Sequence, residues 1–221
     1  MFVSRRRPIV YSQYEHARLA GALALHWGND RFPRPPLPFD AFVAGVTLHD
    51  FGYGLLDAHP IGAMEASERR ATIARLVEAR LADPIAGTVA LFHARRLIGD
   101  ADPDLAARCE TRIETALTGG GPARAAYETA DRITDLCDTV AFHYCFERPH
   151  ASDVEVPCTG ARDATCRIGW TLDEQGGVTL EPWPLSVPRL DVAVVAFDAR
   201  DYPATLVPSV TTCRVRPRAH A

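Results

Sequence analysis

The chain changes character at Pro149, and that break constrains what it can fold into more than any other feature. Before it, apolar residues recur at helical spacing through Ala- and Leu-rich segments. After it, prolines and glycines interrupt short alternating stretches. Six of the 17 prolines lie between residues 150 and 210, where each removes a backbone donor and stops helix propagation. Residues 1–150 therefore read as a helical domain, and residues 151–221 as a small strand-rich C-terminal appendage packed on it. The expected fold class is mainly α. With 221 residues, the chain is long enough to bury one sizeable core.

Local punctuation divides the first part. Ser12 is a natural N-cap for SQYEHARLAGALALHW (12–27), and four prolines make residues 28–40 a loop. Further helices are expected over about 40–49 with Asp40 as cap, 64–82, 83–98 with Pro84 in the first turn, and 102–117. A long helix should open at Pro122, after Gly119-Gly120-Gly121, and run to about Phe146. Beyond the break, Thr165–Trp170 and Gly177–Leu180 flank DEQGG as a hairpin, and Val192–Phe197 reads as another strand.

Composition narrows the function. A net charge of −4 argues against a general nucleic-acid binder. All 24 basic residues are Arg, which removes Schiff-base lysines, P-loop lysines and Ser-Lys dyads together. No apolar run reaches the ~18 residues of a membrane span, and the three N-terminal arginines precede no apolar leader core. Six cysteines without a C-x-x-C pair read as free thiols of a reducing cytoplasm, Cys158 and Cys166 being the one pair placed for a bridge. A cytoplasmic protein acting on a small molecule, without nucleic-acid or membrane partners, is the expectation.

The chemistry concentrates in an ordered set of polar residues on apolar segments. VTLHDFGYG ends an apolar run on His49 and Asp50, whose adjacent side chains can reach one cation. His16 and His93 each sit within an Ala- and Leu-rich helix. On the long helix Asp131, Asp135 and Asp138 stand at i, i+4 and i+7, sharing one face. Tyr127 and Phe142 lie on that side too, so at least one aspartate should point inward, where it needs a cation or donors.

The order His16, His49-Asp50, then a late Asp resembles the HD-domain superfamily of metal-dependent phosphohydrolases. Within it the chain resembles, over nearly its whole length, a bacterial family of unknown function. The matching stretches are SQYEHARLAGALALHWG, LHDFGYGLLDAHP, DPIAGTVALFH, DTVAFHYC and EPWPL. The resemblance implies an HD-like helical bundle with His16, His49 and Asp50 as metal ligands. It makes Asp138 the last ligand through a D-x-x-S/A-x-x-x-C element, with Asp131 as second choice through the A-D-R-I wording. Asp135 is then an acid beside the ligands or facing the substrate.

Two imidazoles and two carboxylates suit a divalent Mn, Fe, Co, Zn or Mg ion, which activates water and polarises a phosphoryl oxygen. Asp57 could protonate the leaving group or simply stabilise its turn. Arg95 and Arg96 could hold phosphate bidentately, or sit as cations near a helix C-terminus. Glu15 is a possible substrate-side or bridging acid. His93 opens an alternative in which the site carries two irons for oxygen-dependent cleavage. A third class is a binding module whose metal set has become structural. The leading expectation is hydrolysis of a nucleotide or another small phosphoester.

Overall fold

A computed structural model describes residues 1–55, 57–160 and 164–218. In chain order the elements are β1 (Phe2–Val3), β2 (Ile9–Tyr11), α1 (Gln13–Leu25), α2 (Phe39–Thr47), α3 (Ala66–Glu78), α4 (Pro84–Ile98), α5 (Pro103–Thr118) and α6 (Arg124–Phe146). Then follow β3 (His150–Pro157), β4 (Thr165–Leu172), β5 (Gly177–Glu181), β6 (Leu190–Asp198) and β7 (Pro208–Pro217). Two 3-10 turns, Phe51–Tyr53 and Ile61–Ala63, carry the chain from α2 to α3.

The helix starts follow side-chain chemistry. Ser12 Oγ accepts from the Glu15 amide at 3.1 Å, Asp83 Oδ1 from the amides of Ile85 and Ala86, and Asp102 Oδ1 from Leu105. Helix α2 differs from expectation: Pro38 holds its N-cap position, and Asp40 falls in the first turn.

The strands correct the fold class. They form one seven-stranded mixed sheet, ordered β1-β2-β6-β7-β5-β4-β3, with only the β5–β7 pair parallel. The chain is an α/β fold, not a mainly α bundle with a small β appendage. Strands from both ends of the chain share the sheet, since Val10 of β2 pairs with Phe197 of β6. Two physical causes hide this in the sequence. Strands β1 and β2 span two and three residues, too few for alternation to register. In β7 the inward positions are Thr211, Cys213 and Val215, so two of the three buried side chains are not conspicuously apolar.

One face of the sheet is buried and one is wet, as antiparallel pairing allows. Along β6 the residues Leu190, Val192, Val194 and Ala196 are buried while Asp191 and Ala193 are exposed. The buried face packs on α1 and α6, and α6 in turn packs on α1 and α4. Glycines bring the helices close. A Cβ at Gly21 would lie 2.0 Å from Thr47 Oγ1, and one at Gly45 would lie 2.6 Å from Val89 Cβ and 2.8 Å from the Ala86 carbonyl oxygen. Helices α1, α2 and α4 therefore approach as only Gly permits; His16 lies on α1, His93 on α4, and His49 just past the C-cap of α2.

Cys158 and Cys166 are joined in a disulfide across the β3–β4 turn. The expectation of six free thiols is thus corrected for this pair, while Cys109, Cys137, Cys145 and Cys213 are free and buried. No helix among the described residues is long and apolar enough to cross a membrane.

Candidate metal centre

His16 from α1, His49 and Asp50 from the end of α2, His93 from α4 and Asp138 from α6 meet at one buried point. His16 Nε2 lies 3.0 Å and His49 Nε2 3.4 Å from Asp138 Oδ1. On the other side, Asp50 Oδ2 is 3.4 Å from His16 Nδ1, and Asp50 Oδ1 is 3.5 Å from His93 Nε2. Two triads have ligand atoms within 4.8 Å of one another: His16, His49 and Asp138, and His49, Asp50 and His93. A divalent ion fits this donor set on an observation of the structure itself. His16 Nδ1, His49 Nε2 and His93 Nε2 are all buried and none has a hydrogen-bond partner, although leaving a buried polar atom unsatisfied costs about 1–3 kcal/mol.

Local structure orients each group. The His49 Nδ1–H donates to the Val46 carbonyl at 2.6 Å, which leaves Nε2 as the lone-pair nitrogen facing the carboxylates. Leu48 closes α2 and Asp50 enters the 3-10 turn, so the two adjacent residues turn toward the same point. His93 is held from behind by Arg96, whose Nη2 donates to His93 Nδ1 at 3.0 Å.

Electrostatics follow from burial and proximity. Burial opposes charge on His16, but the carboxylates of Asp138 and Asp50 outweigh it and raise its pKa to about 9. Burial would likewise push both acids up. For Asp50, His49, His16 and His93 offset this, and for Asp138, His16, His49 and His93 do so. Both carboxyls are held well below the usual carboxylate range. His93 moves the other way, lowered by burial and then by His49, so it stays neutral at pH 7.

The remaining expected residues are elsewhere. Asp131 is not among the converging atoms; its carboxylate pairs with Arg96 Nε at 3.2 Å. Asp135 also holds Arg96, accepting from Nη1 at 2.6 Å, so Arg96 is a cation fixed by aspartates rather than a free phosphate clamp. Arg96 Nη2 is 3.8 Å from Asp138 Oδ2, which sets its charge against the centre. Arg95 points away, donating to the Gly99 carbonyl and lying 4.0 Å from Glu110. Glu15 faces the sheet, where it accepts from Arg18 and from the Val195 amide at 2.5 Å. Asp57 accepts from the Gln13 amide at 3.0 Å and pairs with the Met1 amino group, an anchoring role that occupies the carboxylate proposed as proton donor.

The structure adds three residues that sequence reasoning passed over. A cavity of about 200 Å³ opens beside the cluster, and Gln13, Tyr53 and Arg69 line it with His16, Asp50 and His93. Burial and then the Asp50 charge push the Tyr53 phenol up to about 12, so it keeps its proton at neutral pH. Gln13 Oε1 is a buried acceptor without a partner. Arg69 has no ion pair among the described residues. Tyr53 could have been noticed by its place three residues after Asp50. Nothing in the surroundings of Gln13 or Arg69 along the chain marks them.

Residues 3–68 match the model of a family described as "Protein of unknown function (DUF3891)", a stretch that contains His16, His49 and Asp50 but ends before His93 and Asp138. No curated protein and no solved structure matches the chain.

Proposed function

We propose that the chain is a divalent-metal-dependent phosphohydrolase of the HD type, acting on a small phosphoester. The observation that carries the reading is the convergence of the His16 and His49 rings, each with a buried nitrogen lacking a hydrogen-bond partner, on two buried carboxylates, in the order the HD resemblance implies. His16, His49, Asp50 and Asp138 would hold the ion. Such an ion supplies Lewis acidity and lowers the pKa of bound water toward neutrality.

The rest of the chemistry belongs to the protein's own groups. Asp138 and Asp50 stay ionised at neutral pH, so they present negative charge without first losing a proton. Arg96 places a fixed positive charge behind His93 and Asp138 and orients both. The protonated Tyr53 phenol offers a hydrogen bond to an oxygen that gains charge, and Arg69 offers a cation to the phosphoryl oxygens.

The geometry weighs against a pair of irons. The two triads share His49, and its single available lone pair, on Nε2, serves one ion only. Arg96 also occupies the outer side of His93, where a second ion would need donors.

Elemental analysis after growth in metal-supplemented medium tests the reading. About one divalent ion per chain is expected in wild type, with loss in His49→Ala and Asp138→Asn and retention in Asp131→Asn. The metal-loaded protein should hydrolyse a generic phosphomonoester or phosphodiester. Wild type without metal would sink the proposal. Two irons with oxygen-dependent turnover would replace it.

A further inference from the structure

The cavity beside the metal cluster is small. Its volume of about 200 Å³ falls below the roughly 300 Å³ at which small-molecule pockets begin. It takes a phosphoryl group and little more. It adjoins a second space. Met64, Arg69 and Leu97 line this cavity and also line a groove of about 480 Å³ between α3, α4 and the start of α5. The floor of the groove is aliphatic, formed by Ile73, Leu97, Ile98 and Leu105, of which Ile73, Ile98 and Leu105 are buried.

Charge marks where the two spaces meet. Arg70, in the groove, is bound to Asp102, and on the same helix Arg75 is taken up by the Gly52 carbonyl and Thr72. Arg96 is held by Asp131 and Asp135. Arg69 stands at the junction, exposed and without an ion pair among the described residues. Chemical character separates the possible substrates further. Among the described residues no aromatic side chain lines the groove, so they offer no stacking platform for a nucleobase, a contact worth about 1–3 kcal/mol per base where proteins provide it.

We infer that the substrate is an aliphatic phosphoester: its phosphoryl head lies at the metal cluster beneath Arg69, and its alkyl portion lies in the α3–α4–α5 groove. This rests on the phosphohydrolase reading and goes beyond it by naming the class of leaving group.

The test is binding of a graded series to the metal-loaded full chain by calorimetry: inorganic phosphate, then methyl, butyl and octyl phosphate, with adenosine monophosphate beside them. Affinity should rise up to about fourfold per added methylene until the groove is filled. In Ala101→Glu, which sets a carboxylate on the exposed rim of the groove, the octyl-to-methyl affinity ratio should collapse toward unity. In Arg69→Gln every member should weaken together by about tenfold or more, the loss expected for a charge-assisted contact. An affinity independent of chain length, or adenosine monophosphate binding more tightly than octyl phosphate, overturns the inference and leaves the phosphohydrolase reading intact. If even inorganic phosphate fails to bind the metal-loaded protein, the phosphohydrolase reading falls with it.

Discussion

His16 is the residue on which the acid–base behaviour of the centre turns. Its pKa of about 9 in the metal-free protein lies above the ordinary value of 6.5. A group raised in this way stabilises the fold fully below about pH 6.5 and ceases to do so as pH climbs through 9. A metal requires the neutral ring, so below pH 9 it must displace a proton. The apparent metal affinity should therefore strengthen by up to about tenfold per pH unit from pH 7 toward 9 and then flatten, as read by competition with a chelator. A pH-independent affinity across that range would show that His16 is already neutral. Burial pushes the Cys137 and Cys213 thiols well above the usual thiol range, which also makes the metal-free fold less stable at high pH. Chelator competition avoids that interference because it reads metal binding. That His49-Asp50 and one aspartate of α6 meet in a buried cluster was legible in the sequence, because adjacency joins the first two and helical spacing puts the aspartates on one face. The choice among Asp131, Asp135 and Asp138 was not. Spacing shows a shared face, but which aspartate faces the histidines and which faces Arg96 depends on how α6 is rotated against α4.

At the scale of elements, the centre exists because three helices approach closely at glycines. Gly45 is the sharpest case, since an added Cβ would meet the Ala86 carbonyl oxygen at 2.8 Å, and backbone yields less readily than a side-chain end. Gly45→Ala should destabilise the protein by about 1–3 kcal/mol, measured by urea denaturation. It should also lower metal affinity, because spreading α2 from α4 moves His49 away from His93. A variant as stable as wild type would mean that the helices are not packed as described. The six helices were largely readable from capping residues and apolar spacing: Ser12, Asp83 and Asp102 cap where their side chains suggest. The sheet was less so. Strand β3 reads HASDVEVP, in which exposed Ser152, Asp153 and Glu155 mask the one fully buried side chain, Val156. Strand β2 is recognisable only through its pairing with β6.

Across the whole molecule the sheet and the helices are one body, tied by polar contacts as well as by packing. Glu147, in the left-handed region at the end of α6 with φ of 50°, accepts from Ser4 Oγ at 2.7 Å and from Tyr11 at 2.8 Å. The Tyr11 and Tyr144 hydroxyls converge in turn on Thr211 of β7. The disulfide lies outside this network and closes a loop with a sequence separation of 8. Chain-entropy reasoning gives such a loop about 2–3 kcal/mol of stabilisation. Reduction, or Cys166→Ser, should therefore lower the thermal midpoint by several degrees while leaving metal content unchanged, as scanning calorimetry with elemental analysis would show. Loss of metal on reduction would mean that the bridge supports the centre. The pairing of Val10 with Phe197 carries one more consequence. During synthesis the N-terminal strand must wait for β6, which emerges far later in the chain, roughly ten to forty seconds at ribosomal speed. The histidine that follows Ser12 by four positions hangs from that waiting strand. A nascent chain that has completed α6 thus already carries every residue of the buried cluster, while the strand that anchors the first of them still lacks its neighbour β6.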